Sequence, residues 1–185
     1  MAGRLGSVRA RVIAGAIVGL VLLLLVYWFL IRHDTAEPHV QVPRLAATIG
    51  EGEGAIGVSS NGALVRWLPL PEEPPLPRLS LEAPPKKGGR VKGPALEQVR
   101  VLATVPDGLR PYVESSGYGE ETGVVVTLTT GIELIFGDAS QTAKKWRAAV
   151  AVLADPEVAS LDYVNLQAPS RPTYGGSEHE LPSVP

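Results

Sequence analysis

Alternation of apolar and polar positions is clearest between Val124 and Phe136. Val124, Val126 and Leu128 alternate with Val125, Thr127 and Thr129, and Ile132, Leu134 and Phe136 alternate with Glu133 and Ile135. Two such runs joined at Thr130-Gly131 predict a hairpin with one buried face. Gly137-Asp138 closes it, and Ser140 is placed to cap a following helix. On that helix Trp146, Ala149, Val150 and Leu153 recur at i, i+3, i+4 and i+7, an apolar stripe for the sheet. Lys144, Lys145 and Arg147 are expected on or beside the solvated side.

The same reading applied elsewhere gives weaker elements. Ile56 and Val58, the turn "SNG", and then Leu64, Val65 and Trp67 predict another hairpin, with Asn61-Gly62 supplying positive φ angles. Glycines at 50, 52, 54 and 57 lack the Gly-Lys-Ser/Thr of a phosphate-binding loop, so this stretch is read as a plain loop. Leu68 to Pro94 is dense in proline and glycine and is expected to hold little regular structure. Pro94 suits a helix start, with Leu96, Val99, Leu102 and Ala103 on one face and Pro106 ending the run. The polar stretch "SSGYGEETG" reads as a loop. Val164, Leu166 and Ala168 alternate with Tyr163, Asn165 and Gln167 as a strand. Pro169 and Pro172 then break it and confine Arg171 to Tyr174 to a sheet edge.

A different kind of segment precedes all of this. Val12 to Ile31 is about twenty residues without a charge, the span of a bilayer core, and ends in Tyr27, Trp28 and Phe29, aromatics suited to a membrane interface. Arg4, Arg9 and Arg11 precede it, so the short N-terminus is expected in the cytoplasm and the remainder outside. The chain of 185 residues then divides into 1–11 basic N-terminus, 12–31 membrane helix, 32–46 stalk, 47–175 folded domain with a Pro-rich loop at 68–94, and 176–185 disordered tail. The fold class is α+β: a single N-terminal transmembrane helix, then one extracytoplasmic mixed β-sheet domain with helices packed on it. Gly15 and Gly19 form a G-x-x-x-G inside the span, a spacing that lets membrane helices approach closely.

Charge narrows the function. Setting the three N-terminal arginines apart leaves 14 of the 17 Lys and Arg against 19 Asp and Glu, a balance opposed to nucleic-acid binding. There is no cysteine. The histidines, His33, His39 and His179, fall in stalk and tail, so no Ser-His-acid triad is expected within the folded body, and no metal-site spacing is visible. A catalytic role, a cofactor, a metal and a small-molecule substrate are therefore not expected. The alternative of an anchored envelope enzyme acting on cell-wall glycan rests on topology and scattered acids alone, and 5% aromatic residues is thin for a sugar cleft.

Taken in order, "VVVTLTTGIELIFGD", "AKKWRAAVAVLAD" and "LDYVNLQAPSRPTY" resemble the C-terminal β-domain of the bacterial cell-division family FtsQ, also called DivIB. Gly131 to Gly137, Lys144 to Leu153, and Tyr163 to Tyr174 fall at its paired strands, basic helix and closing strand. "NGALVRWLP" and Leu76 to Leu79 look like its opening hairpin. Asn165 stands where the family usually has Asp, and Gln167 where it often has Arg. The POTRA module that the family carries before this domain has no expected counterpart in the short stalk, so recruitment through that module is not expected. The resemblance implies a non-enzymatic, single-pass scaffold at the division septum. It implies that FtsB/FtsL-like single-span proteins bind at the edge formed by Ala168, Ser170, Arg171, Pro172, Thr173 and Tyr174, supporting septal peptidoglycan synthesis.

Overall fold

A computed structural model describes residues 44–71, 73, 75–81 and 89–182. The basic N-terminus, the apolar run with its G-x-x-x-G, most of the stalk with His33 and His39, and residues 72, 74 and 82–88 of the Pro-rich loop lie outside the described residues. Among the described residues no helix is long and apolar enough to cross a membrane.

Among the described residues nine strands form one mixed sheet. They are β1 (Leu45–Ile49), β2 (Ile56–Ser59), β3 (Leu64–Val65), β4 (Arg78–Leu79), β5 (Val113–Gly119), β6 (Gly123–Leu128), β7 (Glu133–Gly137), β8 (Tyr163–Asn165) and β9 (Thr173–Gly175). Their order across the sheet is β3-β2-β1-β4-β5-β6-β7-β8-β9. Two helices, α1 (Pro94–Leu102) and α2 (Thr142–Leu153), make the crossovers β4-α1-β5 and β7-α2-β8. Both crossovers join parallel neighbours: β4 pairs with β5, and β7 with β8. Parallel neighbours need such a crossover because a tight turn can only reverse the chain.

The core lies between the helices and one face of the sheet. Val124, Val126 and Leu128 of β6 meet Leu134 and Phe136 of β7 and Val164 of β8 there, all fully buried. The alternation read in the sequence is therefore realised in β6 and β7. Gly131 holds φ +94° in the turn between them, where its amide donates to the Leu128 carbonyl at 2.9 Å. A bulge follows at the far end of the pair, where Gly123 and Val124 both face Gly137. Gly123 has φ +67°, and a Cβ built there would run into the Gly137 backbone, so the bulge requires glycine.

Several expectations are corrected. The stretch "SSGYG", read as a loop, belongs to β5, a seven-residue strand at the centre of the sheet. Serine and glycine are poor strand signals, and the pairing of β5 with β4 and β6 overrides them. The Pro-rich region also contributes a strand, since Arg78 and Leu79 of β4 bridge β1 to β5. The first strand begins at Leu45, inside the segment read as stalk. In the opening hairpin the positive φ is carried by Gly62 alone, while the Asn61 side chain accepts from Ser59 Oγ at 2.7 Å and the Ala63 amide at 3.0 Å.

The helices also differ in detail. α1 starts at Pro94 as expected, but its buried residues are Gln98, Val99, Val101 and Leu102. Ser140 does not cap α2: its hydroxyl and amide donate to Asp138 Oδ1 at 2.7 and 3.1 Å, and Gln141, at φ +50°, precedes the first helical residue. The buried stripe of α2 is Lys145, Trp146, Ala149 and Val152, whereas Val150 is exposed. Helix α2 is thus turned so that one lysine faces inward.

Candidate functional site

The terminal edge of the sheet is built from the inside out, beginning with how α2 is fixed on β7. Trp146 is fully buried; its ring packs on Phe136 with centroids 4.7 Å apart and planes tilted by 55°. Its indole N–H donates to the Val101 carbonyl near the end of α1 at 3.0 Å, a carbonyl that also accepts from the Thr104 hydroxyl at 2.9 Å and amide at 3.2 Å. One side chain therefore joins both helices and the sheet, where the sequence suggested only a helix-to-sheet contact.

Lys145, expected in solvent, is 2% exposed. Its ammonium donates to the Phe136 carbonyl at 2.8 Å, the Asp138 carbonyl at 2.9 Å and Asp138 Oδ1 at 2.6 Å. All three N–H groups are engaged, which is what makes a buried ammonium tolerable. In return, the Lys145 hydrogen bond holds the Asp138 carboxyl at about 2, with the Ser140 hydroxyl and amide adding to the effect. The pair closes the β7–α2 connection and sets the helix against the strands that follow.

Those strands carry the edge. Val164 and Leu166 are buried, Tyr163 is exposed, and Ala168, expected to point inward with them, is exposed too. The chain does not continue as a single strand. It turns at Ala168 to Arg171, where the Arg171 amide donates to the Ala168 carbonyl at 2.9 Å. It then returns as β9, antiparallel to β8, with Val164 opposite Tyr174 and Asn165 opposite Thr173. Of the six residues assigned to partner binding, Thr173 and Tyr174 lie on the edge strand. Ala168, Ser170, Arg171 and Pro172 form the turn before it. All are exposed except the half-buried Pro172. On its outer side β9 has no paired strand among the described residues.

Beside the turn is an open concavity of about 710 Å³, lined by Gln141, Lys144, Arg147 and Ala148 of the α2 region and by Gln167, Ala168, Pro169 and Ser170. Lys144 and Arg147 are exposed there, and Lys144 Nζ donates to Gln141 Oε1 at 3.1 Å. Sequence reasoning placed these cations on a solvated face but did not join them to the edge; only the β7-α2-β8 crossover brings the two together.

The segment after Gly176, read as a disordered tail, packs against the domain as far as residue 182. The Leu161 amide donates to the His179 carbonyl at 2.9 Å, Ser160 bridges to Glu180, and Pro182 is buried. Asp162 Oδ1 accepts from the Glu178 amide at 2.7 Å and lies 3.3 Å from His179 Nδ1. The Glu178 amide is the main cause holding the Asp162 carboxyl below its ordinary range, with a smaller part from His179. The tail thus supports β8 from the end opposite the concavity.

No protein-family model matches the chain, and no curated protein does. Among solved structures, the chain is similar to the major extracytoplasmic domain of the trans isomer of the bacterial cell division protein DivIB from Geobacillus stearothermophilus, with 20% identity and a TM-score of 0.41 over 62% of this chain and 94% of that one.

Proposed function

We propose that the protein is a non-enzymatic division scaffold of the FtsQ/DivIB type, anchored in the membrane by Val12–Ile31, whose β9 edge accepts a strand from an FtsB/FtsL-like single-span protein. The observation that carries the reading is the open outer side of β9 among the described residues, at the end of a sheet whose β7, α2 and β8 sequences resemble the segments of that family. An added strand gains its affinity from main-chain hydrogen bonds and its selectivity from side chains on alternate positions. Tyr174, 48% exposed, is the large side chain such a partner would cover. Pro172 donates no hydrogen bond, so pairing starts at Thr173. Lys144 and Arg147 favour a partner that carries acids where it leaves the edge.

The test is calorimetric titration of the full chain in detergent with an FtsB-like protein from the same genome, beside Thr173→Pro and Tyr174→Ala. Saturable binding by the parent chain, weakened at least tenfold in both variants while near-ultraviolet dichroism stays unchanged, is the expected result. A parent chain that does not bind, or variants that bind as well as the parent, would refute strand addition at β9. A fluorescent fusion is expected at midcell in dividing cells; uniform envelope fluorescence would count against the division role.

A further inference from the structure

The outermost strand is bounded at both ends. Before β9, Pro172 has no amide hydrogen to donate. After it, the chain does not run straight on beside its neighbour. The Asp162 amide donates to the Gly175 carbonyl at 2.8 Å, and the next amide back, that of Leu161, donates to the His179 carbonyl at 2.9 Å. Ser160 then bridges antiparallel to Glu180. A single step along the inner chain thus spans Gly175 to His179 on the outer one, and Gly176, Ser177 and Glu178 are looped out between them.

The loop is clasped from inside. Asp162 Oδ1 accepts from the Glu178 amide at 2.7 Å, and His179 Nδ1 lies 3.3 Å from the same oxygen. Gly176 holds φ +89°, and a Cβ built there would run into the Asp162 carboxylate, so this turn requires glycine. The His179 ring lies against Gly131 of the β6–β7 turn, where a Cβ would meet it. Ser177 and Glu178 themselves are exposed. The loop is an enlarged bulge in the edge strand. Bulges, prolines and short length are the devices by which exposed edges escape unwanted pairing.

For an extended chain laid against β9 the result is a short window. Only Thr173–Gly175 continue as strand, about 10 Å at 3.3 Å per residue, where strands usually have about 5–6 residues. Beyond Gly175 the Glu178 amide is turned to Asp162 rather than outward. Were two copies to meet edge to edge and antiparallel, the loop of each would face the Pro172 turn of the other.

We propose that the loop Gly176–Glu178, clasped by Asp162, is a stop that keeps β9 from pairing with β9 of a second copy and leaves room only for a short extended segment. The stop acts on any extended chain, so the inference goes beyond the partner reading and its test needs no partner.

The experiment is sedimentation equilibrium of the full chain in density-matched detergent. Deleting Gly176–Glu178 joins Gly175 directly to His179 and removes the stop. Mean mass is expected to rise with concentration in the deletion variant, above that of the parent, and to return to the parent value when Thr173→Pro is added. Asp162→Ala opens the clasp at unchanged length and should give a smaller rise, also reversed by Thr173→Pro. Unchanged near-ultraviolet dichroism qualifies each variant; where the deletion loses it, Asp162→Ala decides by the same reading. A folded variant with the parent's mass would overturn the proposal. A rise that Thr173→Pro does not reverse would do the same, since it would come from another surface. So would a fall in the parent's own mass on Thr173→Pro, which would show the edge already pairing between copies.

Discussion

Replacing Lys145 by methionine tests how the β7–α2 corner is held. The side chain keeps its length and apolar stem, so no large cavity opens, but the ammonium and its three hydrogen bonds disappear. Two of the acceptors are backbone carbonyls: that of Phe136 is buried, and a buried acceptor left unpaired costs about 1–3 kcal/mol, whereas that of Asp138 is part-buried and can turn to water. The third is the Asp138 carboxylate, whose side chain is 66% exposed. It returns to water at little loss, as exposed charges do. Against this stands the desolvation of the ammonium, which methionine avoids. The balance is a loss of about 1–2 kcal/mol, and Lys145→Ala should lose roughly 2 kcal/mol more through the space it leaves. Urea unfolding of the compact unit Pro43–Pro185, followed by Trp146 fluorescence in a Trp67→Phe background, reads the difference. The midpoint should fall in the order parent, Lys145→Met, Lys145→Ala at constant slope. A methionine variant as stable as the parent, or more so, would refute the reasoning and show that the corner merely tolerates its buried cation.

The same corner predicts a pH dependence. The folded Asp138 carboxyl, held at about 2, lies below its unfolded value, so its contribution is complete above roughly pH 4 and drains away as pH falls towards 2. Urea midpoints across that window should decline less steeply in Asp138→Asn than in the parent; parallel profiles would exclude the pair as the cause. Gly123→Ala should destabilise the domain by at least about 2 kcal/mol, because the left-handed φ and the Gly137 backbone both oppose a side chain. A thermal midpoint within a degree or so of the parent would contradict the bulge geometry.

How much of this was legible in the sequence depended on whether a residue's chemistry agreed with its position. In β6 and β7 it did: Val124, Val126, Leu128, Leu134 and Phe136 fall on one face, with Val125, Thr127, Glu133 and Ile135 between them, and both strands sit where the pattern put them. In β5 it did not. Ser115, Ser116 and Gly117 carry little strand preference, and the strand exists because β4 and β6 flank it. Lys145 was hidden for the opposite reason, since a lysine on an amphipathic helix is normally solvated. The acceptors that draw it inward belong to the preceding strand end and are fixed only once α2 folds back on β7. The edge was half legible. Pro169 and Pro172 announced an interruption, but that the chain turns through a complete hairpin, leaving only Thr173 and Tyr174 of the six expected residues on the outer strand, required the pairing with β8.

The two-residue strand β4 has a mechanical consequence. Between β1 and β4 there is a single register pair, Thr48 with Arg78, plus the Thr48 amide on the Pro77 carbonyl at 2.9 Å. The Arg78 guanidinium spans the join, donating to Glu51 on one side and to Glu114, at 2.9 Å, on the other, but these ion pairs are exposed and therefore weak. The β1 to β3 leaf is nevertheless tied to the rest of the domain elsewhere: Ala63 bridges to Arg90, the Leu64 amide donates to the Gly89 carbonyl at 2.8 Å and the Val91 amide to the Gly62 carbonyl at 2.9 Å, and Ala46, Ala47 and Val58 are buried in the shared core. That leaf is therefore held less by strand pairing than by the segment before α1 and by the packing beneath it.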